Sequence, residues 1–374
     1  MRPSRGAAPS VLIVGAGPVG LAAALELARR GHPFRIIDAE AGPTPAAESR
    51  ALGILPRTLA LLAPAGVDEA IRREANPVRR IELRAGDRTL ATAAFAELGR
   101  PEASILVLPQ SRTEHLLLAA LAERGVVPEW NTRFTGFEVG STEVTVTLAG
   151  PNGTETAPFD RVLGCDGARS TVRTVAGIPF EGTATPTEWT LADVHLPAAA
   201  DPSRLVFEFL DDGGAFGRIP IDATTVRYVA SRADVERLIR AEDRGGSIGW
   251  TSRFHVSYRM VPSFAKGPVL LAGDAAHVHS PVGARGMNLG IEDAAWAAWA
   301  IAEGREGDYS AARLPVARRT IAQTRALTGM VIGASPFVRF ARRRLPPVVL
   351  RLGVVRRRVL ARILDAGRPL PPWL

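Results

Sequence analysis

The sequence predicts an α/β fold: a parallel sheet of the dinucleotide-binding kind, interrupted by an inserted mixed or antiparallel β-sheet domain and closed by C-terminal helices. Three observations predict it. A G-x-G-x-x-G run, Gly15, Gly17 and Gly20, follows the apolar stretch Val11–Val14 directly. Two later apolar stretches, Asp160–Cys165 and Val269–Ala272, end in the same way, at Asp166-Gly167 and at Gly273-Asp274, each ahead of a helical pattern. Between those two lie residues 177–262, whose apolar positions alternate at the strand period.

In order along the chain, Val11–Val14 reads as a buried strand and Val19–Arg30 as the helix that the glycines open. Gly31 ends that helix, Phe34–Ile37 is the second strand, and Asp38 stands at its tip, 23 residues after Gly15. Strand, tight turn, helix N-terminus and acid in register predict an adenine dinucleotide, its pyrophosphate on the helix N-terminus and its ribose hydroxyls on Asp38. An acid at that place favours FAD or NAD over the 2′-phosphate of NADP. A helix is expected from Pro56, preceded by a loop in which Arg50 can reach a pyrophosphate bidentately. Ile81–Phe95 suggests a hairpin with Gly86-Asp87 as its turn. Val107–Glu123 reads as a strand tip and a helix, with Gln110 at the junction, where an amide can meet ribityl or ribose oxygens.

Thr135–Leu148 fits two antiparallel strands, and Asp160–Cys165 runs into a helix expected from Ser170. The inserted region carries expected strands over 188–194, 205–210, 214–219 and 226–230, and a helix over Ala233–Asp243. Its inner face is the expected substrate wall, with Phe207, Phe209, Phe216, Arg218 and Arg227 as candidates from alternation. Gly267–Glu303 then combines a strand, the carboxylate of Asp274 and a glycine-bordered helix start near Gly286, a pattern suited to an anionic, hydroxyl-bearing ligand. Tyr309–Val331 is one helix or two, and Phe337–Asp365 a pair of helices interrupted at Pro346-Pro347. The expected division is a discontinuous nucleotide domain (1–77, 104–176, 266–335), a sheet domain (78–103, 177–265) and basic C-terminal helices (336–374).

Composition narrows the function classes. Hydrophobic content of 46% and 22% charged residues suit a globular enzyme. The single Cys165 excludes an intramolecular disulfide framework and a cysteine-rich metal site, so a cytoplasmic location and no metal are expected. Arg2 and Arg5 precede an apolar run, yet its glycines fall at nucleotide-binding spacing, so strand and helix are expected there and not an export signal. The net charge of +8 is localised: residues 336–374 hold ten arginines and one acid, leaving 36 basic and 37 acidic residues before them. A neutral body argues against nucleic acid as partner. The C-terminal arginines read as the solvated face of a packed amphipathic helix, or as a weak membrane-surface contact.

The runs GAGPVG with Asp38, SRA with Arg50, PQSRTE with Gln110, CDGARSTVR, and GDAAHVHSPVGARGMNLGIEDA occur in one order and spacing. In these the chain resembles the single-component FAD-dependent aromatic hydroxylases, typified by para-hydroxybenzoate hydroxylase and, closer in motif, the aromatic polyketide hydroxylases. The resemblance covers residues 11–303 and implies a Rossmann-like FAD-binding domain of the GR2 type. It assigns Gly15, Gly17 and Gly20 to the pyrophosphate, Asp38 to the ribose, and Arg50 and Gln110 to the body of FAD. Asp166 and Gly167 belong to a motif used near both FAD and NAD(P)H. Gly273 and Asp274 would hold the ribityl chain, Pro281 would lie at the flavin's reacting edge, and Gly286, Met287 and Asn288 would meet its pyrimidine side. The implied reaction uses NADPH or NADH as a transient co-substrate and O2, through a flavin C4a-hydroperoxide, with Pro281 and Asn288 as flavin environment and no side-chain nucleophile. The partner expected is a small aromatic molecule, and the chain a monomer or homodimer.

Two departures stand out. Ala284 replaces the family's usual glycine, and the thioredoxin-like domain of larger polyketide hydroxylases has no counterpart in these residues. The W-x-W-x-I-P signature of flavin halogenases is also missing. Alternative readings on the same fold are a flavin-dependent reductase of a membrane-associated isoprenoid, epoxidation and Baeyer–Villiger oxygenation; a nucleic-acid-binding scaffold that keeps FAD structurally is the alternative of another class.

Overall fold

A computed structural model describes residues 10–46, 51–100, 103–141, 143–211, 213–240, 243–333, 335–366 and 368–374. Its centre is a five-stranded sheet in the order Ala265–Lys266, Val269–Leu271, Arg161–Gly164, Val11–Val14, Phe34–Ile37. The last four strands run parallel. Leu21 and Leu25 of the first helix and Phe134, Val144, Val146 and Leu148 of a flanking meander share one core with these strands, which are accordingly apolar throughout; Val11, Leu12, Ile13, Leu163, Leu270 and Leu271 are each at most 1% exposed. Parallel order has a direct consequence: the C-terminal ends of three neighbouring strands emerge on one edge. Gly15 N donates to Ile37 O at 2.8 Å, Cys165 N to Val14 O at 2.8 Å and Ala272 N to Gly164 O at 3.0 Å, which locks the three exits in register.

A three-stranded meander, Arg133–Val139, Val144–Gly150 and Gly153–Phe159, flanks this sheet; the third strand was not expected. The second large layer is an eight-stranded sheet. Its order is His277–Val278, Ser247–Met260, Glu181–His195, Thr225–Ala230, Ala215–Pro220, Arg204–Phe209, Arg80–Ala85, Arg88–Ala94. Arg204–Phe209 runs parallel to Arg80–Ala85 and the other neighbours are antiparallel, so the sheet is mixed. Of its two longest strands, Glu181–His195 extends well beyond the expected 188–194, and Ser247–Met260 was not expected.

The helix expected over Ala233–Asp243 does not form; a single 3₁₀ turn, Val235–Leu238, takes its place. Tertiary demands override the helical period there. Val235, Leu238 and Ile239 cover Phe216, Val226, Tyr228 and Ala230 on the sheet's outer face, and Asp243 is drawn inward as acceptor for Arg218 and Tyr228. Glu306–Ile332 is one continuous helix, followed by Pro336–Val349 and Gly353–Ile363. The break between the last two falls at 350–352 and not at Pro346-Pro347, which lie in the final turn of the first, where each removes a backbone bond without interrupting a longer ladder. Among the described residues, no helix is long and apolar enough to cross a membrane.

Candidate cofactor and substrate site

The first exit is a turn closed backbone to backbone. Gly15 lies at φ +104°, and a Cβ at Gly20 would sit 1.8 Å from Gly15 O. Gly17 is different: it is the N-cap of the helix Pro18–Arg29, makes no side-chain cap, and a Cβ built on it meets nothing within 4 Å. The helix therefore starts with uncapped backbone donors and open space in front, which suits an anion. At the tip of the second strand, Asp38 Oδ2 accepts from Ala16 N at 2.6 Å and Oδ1 from Glu40 N at 2.9 Å. Those bonds orient the carboxylate and leave each oxygen a lone pair for hydroxyls.

At the second exit, Asp166 Oδ2 accepts from Thr171 N at 2.7 Å and Val172 N at 3.1 Å. Its Oδ1 is buried without a partner, and burial raises the Asp166 pKa above 3.8 against those bonds. A buried acceptor without a donor is costly unless a bound molecule supplies one. Gly167 follows at φ +75°. At the third exit Asp274 is exposed while Ala272, Gly273, Ala275 and Ala276 around it are buried. The chain then passes exposed Pro281 to the helix Gly286–Ala302, whose N-cap, Arg285, makes no side-chain cap. A Cβ on Gly286 meets nothing within 4 Å, and Met287 packs partly buried on the central core. The residues present thus fit a long anionic, polyhydroxyl cofactor: two open, uncapped helix starts, three carboxylates at strand ends, and one orphaned acceptor.

The Asn288 side chain takes another part than expected. Asn288 Nδ2 donates to Gly53 O at 2.8 Å and Ala284 O at 2.7 Å, while its Oδ1 accepts from Leu55 N at 2.9 Å and Thr58 Oγ1 at 2.6 Å. Two donors and two acceptors exhaust the amide, so its side chain has nothing left for a flavin and instead ties the segment 53–58 to the helix start. Gln110 donates from Nε2 to Glu114 Oε1 at 2.9 Å and accepts from Ala51 N at 3.4 Å. Arg50 lies outside the described residues.

Ala284 sits at φ +53°, a left-handed conformation that costs a residue with a Cβ about 1–2 kcal/mol. Ala284→Gly is expected to raise stability by about 0.5–1 kcal/mol, after the added unfolded-state entropy of glycine is subtracted. Urea unfolding of both proteins checks this, and an unchanged or lowered midpoint would count against the strain.

The eight-stranded sheet corrects the expected wall. Side chains alternate faces, and the register pairs Phe216 with Glu208 and Ala230, opposite in parity to Phe207, which pairs with Gly217 and Leu83. Phe216 therefore stacks on Tyr228 at 5.6 Å on the outer face, and Arg218, 1% exposed, binds Asp243 there at 2.6 and 2.9 Å. Neither belongs to a substrate wall. Arg227 shares the parity of the inner face but is held by Asp193 through Nε at 2.6 Å and Nη2 at 2.7 Å, with the Trp250 ring 5.0 Å away. Phe207 and Phe209 are on the inner face and meet edge to face at 5.5 Å. They share one cluster with Trp189, Phe254, Tyr258 and Val282 of the loop beside Pro281. Trp189 lies in the strand expected over 188–194, whereas Phe254 and Tyr258 lie on Ser247–Met260, a strand that was not expected although Ile248, Trp250, Phe254, Val256, Tyr258 and Met260 alternate there and could have revealed it. Trp189 Nε1 and Tyr258 Oη are buried without partners.

Three strand exits that converge on two open helix starts, beside an aromatic sheet face, define an FAD-binding protein. Comparison with known proteins then gives the family. The FAD binding domain family matches residues 9–231 and 222–324, and the chain belongs to it. It is 34% identical over 391 aligned positions to the 6-methylpretetramide 4-monooxygenase of Streptomyces rimosus, covering 97% of this chain and 66% of that longer protein. The anhydrotetracycline hydroxylase of Streptomyces rimosus superposes with a TM-score of 0.74 at 29% identity, over 97% of this chain and 77% of the other. The p-nitrophenol 4-monooxygenase of Pseudomonas putida shares the fold over 96% of this chain and 99% of its own, with a TM-score of 0.85 at 24% identity.

Proposed function

We propose that this protein is a monooxygenase that uses FAD, NADPH or NADH, and O2 to hydroxylate an aromatic, polyketide-like small molecule. The observation that carries this reading is the packing of Val282 in one cluster with Phe207, Phe209, Trp189 and Tyr258. The loop that leads from Asp274 to the open helix start is thereby pressed against an aromatic wall. Relatives named for tetracycline-type precursors support a fused-ring substrate. Flat aromatic surfaces recognise fused rings by stacking and edge contacts, and the orphaned Trp189 Nε1 and Tyr258 Oη suit oxygens on such a ring.

When bound, FAD supplies the redox chemistry: it accepts reducing equivalents from the nicotinamide and activates O2 for transfer to an electron-rich carbon. The chain's own residues bind and orient. The Gly15–Gly20 turn and the helix behind it hold the pyrophosphate, Asp38 the ribose and Asp274 the ribityl hydroxyls. The N-terminus of Gly286–Ala302 stabilises negative charge on the reduced ring by about 1 kcal/mol. The aromatic wall excludes water and positions the reacting carbon.

Asp274→Ala is expected to weaken FAD retention sharply; a variant that purifies with full flavin would remove Asp274 from the site. The reading as a whole is tested by anaerobic stopped-flow bleaching of the flavin with NADPH and NADH, with and without phenols and polycyclic quinones. Acceleration by one compound, with oxygenated product once air is admitted, supports it. Failure of both nicotinamides under every condition would overturn it.

A further inference from the structure

The C-terminal helix Pro336–Val349 is turned inside out relative to an ordinary surface helix. Its inward face is anchored by a cation: Arg342, 3% exposed, donates to Leu210 O at 2.8 Å and to Val331 O, with the Phe209 ring 4.9 Å away. Its outward face carries Phe337, Phe340, Leu345 and Val348, which are 76%, 63%, 56% and 65% exposed, and the stripe continues at Leu352, 61% exposed. Offsets of three and eight residues place Phe337, Phe340, Leu345 and Val348 on one side of the helix, and Leu352 lies in the break that follows. An apolar stripe of this extent on a surface marks an interaction site.

The charge of the C-terminal segment says what covers it. Arg344 on this helix, Arg351 in the break after it, and Arg358 and Arg362 on the next helix are exposed, and among the described residues no acid pairs with them. The region carries ten arginines against one acid, in a protein whose remainder is close to neutral. A second copy on this face would bring two such cationic segments together in an isologous contact, which like charges oppose. An anionic lipid surface accepts both features, with apolar side chains below the headgroups and guanidinium groups on the phosphates. We infer that this face docks the protein peripherally on anionic membranes, with Phe337, Phe340 and Val348 entering the interface.

The full chain with FAD bound is floated in a density gradient with vesicles of phosphatidylcholine alone or mixed with phosphatidylglycerol. Flotation is expected only with the mixed vesicles and is expected to decline as salt rises. Phe337→Ser/Phe340→Ser/Val348→Ser is expected to lower vesicle affinity at least tenfold with the flavin spectrum unchanged. Arg344→Gln/Arg351→Gln/Arg358→Gln is expected to lower it about a hundredfold, at about fivefold per arginine held near the surface. No flotation with mixed vesicles, or equal flotation of the serine variant, would overturn the inference. So would a dimer in light scattering that the serine substitutions dissolve, which would assign the face to a second copy.

Discussion

Gly17→Ala is expected to yield a stably folded protein that has lost most of its affinity for FAD, whereas Gly20→Ala is expected not to fold at all. Both are single methyl additions in one motif, three residues apart, and the structure separates them. A Cβ at Gly20 would lie 1.8 Å from Gly15 O, a backbone atom that cannot yield without opening the turn between the first strand and the first helix. Overpacking of side chains costs 1–3 kcal/mol, and a backbone collision in the central sheet costs more. A Cβ at Gly17 meets no atom within 4 Å. The space it enters is the space in front of the uncapped helix start, where the cofactor pyrophosphate belongs. Loss of one or two hydrogen bonds to a charged group, at about 1.5–3 kcal/mol each, amounts to about tenfold for one weak bond and more than a thousandfold for two strong ones in Kd. The check is flavin absorbance per mole of purified protein, with circular dichroism melting of each variant. A Gly17→Ala protein that retains flavin as tightly as the native one would place the pyrophosphate elsewhere.

The second large effect concerns the helix Gly286–Ala302, which two buried acids clamp from below. Glu292, 2% exposed, accepts from Arg313 at 2.7 Å, Arg57 at 3.0 Å and Arg368 at 2.7 Å. Asp293, fully buried, accepts from Arg313 at 2.6 Å and bonds His277 Nε2 at 2.6 Å. Four separate segments are thus fastened to the helix whose N-terminus faces the flavin site. Arg313→Met strips a cation from both carboxylates at once, and breaking a buried pair of this kind costs about 3–5 kcal/mol. Guanidinium unfolding at neutral pH should show it; a loss below 1 kcal/mol would mean that Arg57, Arg368 and His277 suffice.

The same cluster sets an acid limit. Burial alone would raise the Glu292 pKa, but Arg313, Arg368 and Arg57 outweigh it and bring it from 4.5 down to about 2. A carboxylate with a depressed folded-state pKa stabilises the protein fully above its unfolded value, and that share is lost as pH falls from about 4.5 towards 2. The shift corresponds to roughly 3 kcal/mol. Glu292→Gln should therefore be less stable than the native protein at pH 7, with most of that difference gone by pH 2.5. Parallel stability curves for the two proteins would exclude Glu292 as the titrating group.

The backbone of the cofactor site was legible in the sequence and the allegiance of several of its side chains was not. Gly15, Asp166-Gly167 and Gly273-Asp274 announced themselves because a glycine at a strand end and an acid beside it act on the nearest few residues. The aromatic wall was legible only in part. Alternation identified Phe207 and Phe209 but put Phe216 and Arg218 beside them, because a period of two sorts residues within a strand without saying which parity faces inward. The family resemblance implied Asn288 as a flavin contact, yet the four partners of its side chain come from Gly53, Leu55, Thr58 and Ala284.

The sequence by itself determined where the chain turns, which helix starts lie bare, and hence the class of ligand that three strand ends can hold. Those properties follow from local backbone sterics and from hydrogen-bond donors that any helix start presents. Only the tertiary structure decided which polar groups remain free for that ligand, which face of the second sheet meets it, and that Phe337 and Phe340 point outward while Arg342 points in. The physical reason is that a side chain's free hydrogen-bonding capacity and its burial depend on partners brought together by strand register and helix packing, across separations that no local pattern encodes.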